Sequence, residues 1–198
     1  MEAYKYVQRM QAQRPFLESV NEHTLYFRIP SFSFSQKKYI DSIIVANYEK
    51  ITQTPNLIID LRYNDGGSDK SFESLLPLIY TNPIRTIGVE FLSTPTNNQR
   101  MLDFANDTVY GFDSEFKLFA KNSYEKLSRQ PGAFVNLDST LVSITTLNNR
   151  LVFPQQVGII IHGENASTAE QFLLAAKQSK KVKLFGTTTA GVLDISNM

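Results

Sequence analysis

A serine set between a strand and a helix, and an Asp-Gly-Gly turn well upstream of it, are the features of this chain that can do chemistry. The serine is Ser167, within the stretch IIIHGENASTAEQFLLAAKQSKKVKLFGTTTAG that runs from Ile159 to Gly191. A hydroxyl at a helix start lies near exposed backbone amides and the positive end of the macrodipole, both of which favour negative charge developing beside it. The amide of Thr168 is the natural donor to such a charge. The turn is NDGG, Asn64 to Gly67, just after the apolar run LIIDLR. Adjacent glycines permit positive φ and let bare N–H groups approach a ligand, so Gly66 and Gly67 can contribute to an oxyanion hole. Each feature also has a plainer reading. Ser167 with Glu170 spells S-x-x-E, the capping box that satisfies backbone donors at a helix start, and Asp-Gly-Gly is an ordinary turn sequence.

The elements that must position these loops alternate along the chain. TLYFRIPSF (Thr24 to Phe32) is rich in aromatic and β-branched residues and broken by Pro30, which predicts a strand ending at a sheet edge. From Gln36 to about Thr52, Tyr39, Ile40, Ile43, Ile44 and Tyr48 recur at helical spacing, with Pro55 just beyond. NLIIDLR is a continuous apolar run of the kind found in a parallel strand covered on both faces. KSFESLLPLIY predicts a helix kinked or stopped at Pro77, and IRTIGVEFLS a strand. Residues from about Thr96 to Arg129 read as mostly helical, with Phe112, Phe116, Leu118, Phe119 and Tyr124 supplying apolar faces. QPGAFVNLDSTLVSITTLNNRLVFP reads as irregular with strands. QVGIIIH is the clearest buried strand, Ser167 to Lys180 the clearest helix, and VKLFGTTT a further strand. The alternation predicts an α/β fold with a mostly parallel sheet, flanking helices and right-handed crossovers. Sites in such sheets lie beyond the carboxyl ends of the strands, where both loops fall.

Composition removes other chemistries. The chain of 198 residues has a formal net charge of +1 and no block of like charges, so it offers no footprint for nucleic acid. It has no cysteine, which excludes disulfides, thiolate catalysis and cysteine-ligated zinc. No H-E-x-x-H, EF-hand or clustered His/carboxylate set points to a metal, and no cofactor motif is present. MEAYKYVQRMQAQRPF lacks the apolar segment of a signal peptide, and no stretch approaches the ~20 apolar residues of a membrane span. Length predicts one domain over residues 1–198. The chain stops at DISNM soon after the last predicted strand, without a closing element, which suggests a piece of a longer protein. Nothing in it specifies an oligomeric state.

Together, LIIDLRYNDGG and NASTAEQFLLAAKQSKKVKLFGTTTAG resemble the C-terminal processing (tail-specific) serine peptidases and their tricorn-core relatives. That family carries a strand close to L-I-I-D-L-R-x-N-x-G-G, and later small-A-S-x-x-E, a helix, and V-G-x-x-T-x-G. The resemblance covers Asn56 to Gly67 and Val157 to Gly191, with a weaker likeness at LYFRIPSF. It implies a ClpP/crotonase-like core, with Ser167 in the nucleophile position and Gly66 or Gly67 and Thr168 lending oxyanion amides. It also implies peptide or unfolded-protein substrates and export to a periplasmic or extracytoplasmic setting.

One position departs from the pattern. The tail-specific branch places its lysine base directly after T-x-G, and here that residue is Val192, which cannot take a proton. A neutral serine hydroxyl needs a neighbouring base. TTTAG without lysine looks more like the tricorn-like branch, whose base is a histidine from before the core, helped by a carboxylate beyond the serine helix. The candidates are His23, in EHT, beside its reading as a strand-edge histidine; His162, five residues before Ser167, beside a structural role; and Asp194 as an orienting carboxylate or a loop aspartate. Thr189 matches the T of T-x-G and either supports a base or caps a strand end. Asp60 and Arg62 share a strand face and read as a structural pair under the loop. Two alternatives to proteolysis stay open: a degenerate module that holds extended peptides without cutting them, and crotonase-type acyl-CoA chemistry in a similar cleft.

Overall fold

Parallel strands bring both chemical loops to the same end of one sheet. The computed structural model describes residues 2–109, 111–138 and 140–193. The described residues divide into two compact units, one from residues 2–84 with 145–193 and one within 85–144. In chain order the elements are α1 (Glu2–Gln11), β1 (Phe16–Asn21), β2 (Thr24–Arg28), α2 (Phe34–Ala46), α3 (Tyr48–Ile51) and β3 (Asn56–Asp60). Two 3₁₀ turns (Asp69–Ser71 and Glu73–Leu75) and α4 (Leu76–Ile79) lead to β4 (Ile84–Ile87) and β5 (Glu90–Leu92). Then come α5 (Pro95–Ala105), α6 (Ser114–Ser128), β6 (Phe134–Asn136), β7 (Val142–Thr145), β8 (Gln156–Ile161), α7 (Thr168–Lys177) and β9 (Val182–Gly186).

The main sheet has the order β1-β2-β3-β8-β9, with β1 antiparallel to β2 and all other neighbours parallel. Its register pairs Phe27 with Ile59, Ile59 with Ile159 and Ile159 with Leu184, so the carboxyl ends of β2, β3, β8 and β9 are level. The apolar runs explain why these strands lie inside. Leu25, Phe27, Leu57, Ile59, Val157 and Ile159 are all buried in one cluster, which also takes Ile40 and Ile44 from α2 and Ala169, Phe172, Leu173 and Ala176 from α7. Phe32, Phe72 and Phe172 close it with ring centroids 5.6 to 6.0 Å apart, within the range of favourable tilted and edge contacts. This packing matters for the site, because Phe32 lies directly against Gly67 through an isolated parallel bridge.

Beneath the glycine turn, Asp60 is fully buried and saturated with donors. Its carboxylate accepts from Tyr26 Oη at 2.5 Å, from Arg62 Nη2 at 2.6 Å, and from the Arg62 backbone at 3.0 Å. Arg28, 1% exposed, donates to the Asp60 carbonyl at 3.0 Å. Burial alone would raise the Asp60 pKa, but Arg62, Tyr26 and Arg28 outweigh it and hold the carboxyl below its ordinary value. The structural pairing of Asp60 with Arg62 is therefore present, and it extends to Tyr26 and Arg28.

The second unit has its own small core. Met101, Leu127 and Val135 are buried with Phe91, Phe104, Tyr124 and Leu137 around them. Its ladders are β4 with β7 and β5 with β6. Among the described residues no helix is long and apolar enough to cross a membrane.

Several local expectations change. The strand at Thr24 is interior rather than an edge, because Phe16 to Asn21 pairs along its free side and Pro30 falls two residues past its end. The segment around Ser71 is two 3₁₀ turns and one turn of α-helix rather than a kinked helix, and Pro77 sits in the first turn of α4, where its missing N–H costs nothing. IRTIGVEFLS is split into β4 and β5 around Gly88 and Val89.

Candidate active site

The loop after β8 turns sharply into α7, and Ser167 is the residue at the turn. Its backbone lies at φ 51°, ψ −122°, a region that side-chain-bearing residues rarely adopt and that costs about 1–3 kcal/mol. Tyr63, in the loop after β3, is also at positive φ (62°). Among the described residues these are the non-glycine positions in that region, and both lie in the loops already singled out. Strain of this kind collects where a site over-determines the backbone.

The two loops touch. A Cβ built on Gly66 would lie 2.7 Å from the Ala166 carbonyl oxygen and 3.0 Å from both Ser167 Cβ and the Thr168 nitrogen. Gly66, at φ +107°, is thus packed against the serine turn as only glycine can be. A Cβ on Gly67 would overlap the backbone of Phe32 and Ser33. The Gly66 N–H donates to Asn64 Oδ1 at 3.0 Å and its carbonyl accepts from the Phe32 N–H at 2.9 Å, so that amide is occupied. The N–H groups of Gly67 and Thr168 have no protein acceptor among the described residues.

Three polar residues fix this arrangement. Asn165, fully buried, donates through Nδ2 to the carbonyls of Leu61 (2.6 Å) and Asn64 (2.9 Å), and its Oδ1 accepts the His162 N–H at 2.7 Å. It is a direct polar tie between the two loops. Asn64, also fully buried, donates to the Ile29 carbonyl at 3.1 Å while orienting Gly66. Thr168 Oγ1 donates to Asp69 Oδ1 at 2.9 Å, pinning the first turn of α7 to the segment after the glycines. Sequence reading passed over Asn64, Asn165 and Asp69. The available signal was an asparagine flanking each chemical loop.

Glu170 is 6% exposed and holds a third loop. Its carboxylate accepts from the Ser167 N–H (3.1 Å), Thr189 Oγ1 (2.6 Å), the Gly191 N–H (2.7 Å) and the Val192 N–H (3.1 Å). The capping-box arm from Glu170 to Ser167 is therefore formed, and the same group fastens T-x-G to the serine turn. Thr189 acts as a donor to Glu170. Because Ser167 and Val192 share Oε2, position 192 lies beside the serine. Burial would raise the Glu170 pKa, but the donors from Thr189, Gly191, Val192 and Ser167 prevail and lower it.

A carboxylate with a depressed folded-state pKa stabilises the fold fully above its unfolded value, about 4.3 for glutamate, and loses that contribution as pH falls through the folded value. Glu170→Gln is expected to cost roughly 2–3 kcal/mol at pH 7, since an amide cannot accept from all these donors. In denaturant titrations from pH 7 to pH 2, the variant should lose less stability on acidification than the parent. An equal acid loss in the two chains would contradict that role.

The two histidines lie at different ends of the sheet. His23 lies in the turn before β2, exposed beside Glu22, and its carbonyl accepts from Asn56 at the start of β3. It is at the amino end of the parallel strands, separated from the site by a strand length of about 16 Å, whereas a base must lie within ~3 Å of its proton. His162 does lie in the serine loop. Its ring packs against Tyr63 at a 40° tilt with centroids 4.5 Å apart, and Nδ1 accepts the Glu164 N–H at 3.3 Å. Among the described residues no titratable side chain hydrogen-bonds the Ser167 hydroxyl, and no group of His, Cys, Asp and Glu is arranged to hold a metal. Asp194 lies outside the described residues.

A mostly parallel α/β sheet carries, at its carboxyl end, a strained serine, two bare amides and a glycine turn. The family model for peptidase family S41 matches residues 23–198, and the chain belongs to that family. No curated protein sequence matches it significantly. Among solved structures, mature CPAF complexed with lactacystin superposes with a TM-score of 0.59 at 20% identity, covering 90% of this chain and 41% of that one. A putative peptidase from Parabacteroides merdae gives 0.58 at 12% identity, covering 98% and 51%. The photosystem II D1 C-terminal processing protease gives 0.51 at 12%, covering 93% and 35%. At these identities the likeness establishes the fold, and the chain spans about half or less of each neighbour's length.

Proposed function

We propose that this chain is the core of a serine-type peptidase, in which Ser167 attacks the scissile carbonyl of a peptide or unfolded protein. Oγ forms a bond to the carbonyl carbon as its proton passes to a base. The carbonyl π pair moves to oxygen, where the Gly67 and Thr168 amides receive the charge. Collapse expels the amine, which takes the proton, and water later releases the acyl group by the same route. Gly67 rather than Gly66 is the glycine donor, because the Gly66 amide is committed to Asn64. The observation that carries the reading is the contact of Gly66 with Ser167 at a serine strained to φ 51°. The base comes from outside the described residues, in keeping with Val192 at the lysine position.

Fluorophosphonate labelling of the full-length protein tests this. The expected result is one adduct, mapped to Ser167 and absent in Ser167→Ala. A correctly folded protein that stays unlabelled, or is labelled elsewhere, would overturn it.

Val192 favours a second reading, a catalytically degenerate module that grips extended peptides. That reading expects peptide affinity unchanged in Ser167→Ala and no turnover by the full-length protein, whereas the peptidase reading expects turnover that Ser167→Ala abolishes.

A further inference from the structure

A concave site lies at the amino end of the parallel strands. A cavity of about 410 Å³ is lined there by Arg150, Lys180 and Lys181 and by the apolar groups of Leu151, Val152 and Pro154. Its place follows from the strand register. Val182, next to Lys181, opens β9, and the Val157 N–H near the start of β8 donates to the Lys181 carbonyl at 2.8 Å. Both loops around Ser167 leave the opposite ends of these strands.

Lys181 is 9% exposed, and its Nζ is buried without a hydrogen-bond partner. A buried ammonium with no acceptor is expensive, and long cationic side chains are rarely buried unless paired. The charge that acts on it is Arg150, a second cation. Burial first and Arg150 second draw the Lys181 pKa down to about 8. Among the described residues neither Arg150, Lys180 nor Lys181 forms an ion pair. Thr81 Oγ1 is already engaged, donating to Asn82 Oδ1 at 2.7 Å and accepting the Lys180 N–H at 2.9 Å, so it fixes the lysine backbone instead of offering a free donor.

We propose that this cavity binds an organic anion, a carboxylate or phosphate oxyanion on an apolar body, with Lys181 Nζ and the Arg150 guanidinium as its counter-charges. The guanidinium offers a planar fork for two oxygens and the ammonium a compact charge. Leu151, Val152 and Pro154 supply the wall for the apolar part. The inference is independent of any role for Ser167.

The test is calorimetric titration with hexanoate and, separately, inorganic phosphate at constant ionic strength, on the parent chain, Lys181→Met and Arg150→Gln. Saturable binding of at least one anion by the parent is expected, with amide shift changes centred on residues 150–156 and 180–181. Both variants should bind at least tenfold more weakly. Lys181→Met, which removes an unpaired buried charge at similar volume, should unfold at the same temperature as the parent or higher. Binding of hexanoate alone assigns a carboxylate ligand with an apolar tail, and binding of phosphate alone a phosphate group. Absence of saturable binding of either anion to the folded parent, or binding undiminished in either variant, would overturn the proposal.

Discussion

A Val192→Lys chain is expected to hydrolyse an activated ester such as p-nitrophenyl acetate about 10²–10⁴ times faster than the parent, the usual contribution of a positioned general base. The reason is geometric. Glu170 Oε2 accepts from both the Ser167 and the Val192 amides at 3.1 Å, so a side chain at 192 starts beside the serine turn. A serine, two bare amides and a strained backbone stand together, and on the proposed reading the part to be supplied is a group that takes the proton. An introduced lysine works only when neutral, so the rate should climb with pH until the amine is deprotonated. The double variant Ser167→Ala/Val192→Lys separates catalysis at the serine from direct attack by the new amine and should fall back to the parent's rate. An unchanged rate in a folded Val192→Lys chain would mean that position 192 does not address the serine hydroxyl.

Gly66→Ala is expected to abolish most of that gained activity, by at least 10²-fold, the scale on which loss of an oxyanion donor is felt. The new methyl would meet the Ala166 carbonyl at 2.7 Å and the Thr168 nitrogen at 3.0 Å, and neither backbone group can swing aside like a flexible side chain. The serine turn must therefore move away from the glycine turn. Alanine is also strained at φ +107°, which adds roughly 1–3 kcal/mol of destabilisation. Ester hydrolysis in the Val192→Lys background, with a urea titration alongside, reads both effects. Full activity in Gly66→Ala would show that the contact between the loops does not set the geometry of the serine.

The parallel core was legible because interior strands leave an unbroken apolar record. LIID and VGIII lie in β3 and β8, buried between neighbours on both sides, and the α7 apolar face spans Ala169, Phe172, Leu173 and Ala176 as the helical period requires. Ser167, Gly66, Gly67 and Thr168 stand out as candidates in the sequence because each carries its property locally, as a hydroxyl at a helix start or a glycine in a turn. Asn64 and Asn165 were not, since their partners are carbonyls remote in sequence and asparagine in a loop looks like turn chemistry. Glu170 reads in the sequence as a capping residue in preference to an acid catalyst, because nothing local shows that Thr189, Gly191 and Val192 return to it. His23 stays a candidate base in the sequence for a related reason: the letters EHT do not say which end of the sheet they occupy. The 3₁₀ segment from Asp69 to Leu75 escaped notice because apolar spacing alone does not separate it from an α-helix, whereas its contact with Thr168 depends on the tertiary fold.

The most direct measurement is a crystal structure of the fluorophosphonate adduct. A phosphoryl oxygen held about 2.7–3.1 Å from the nitrogens of Gly67 and Thr168, with phosphorus bonded to Ser167 Oγ, is the result expected of a working oxyanion site. An adduct on Ser167 whose phosphoryl oxygen points to solvent, with both amides left bare, would contradict it.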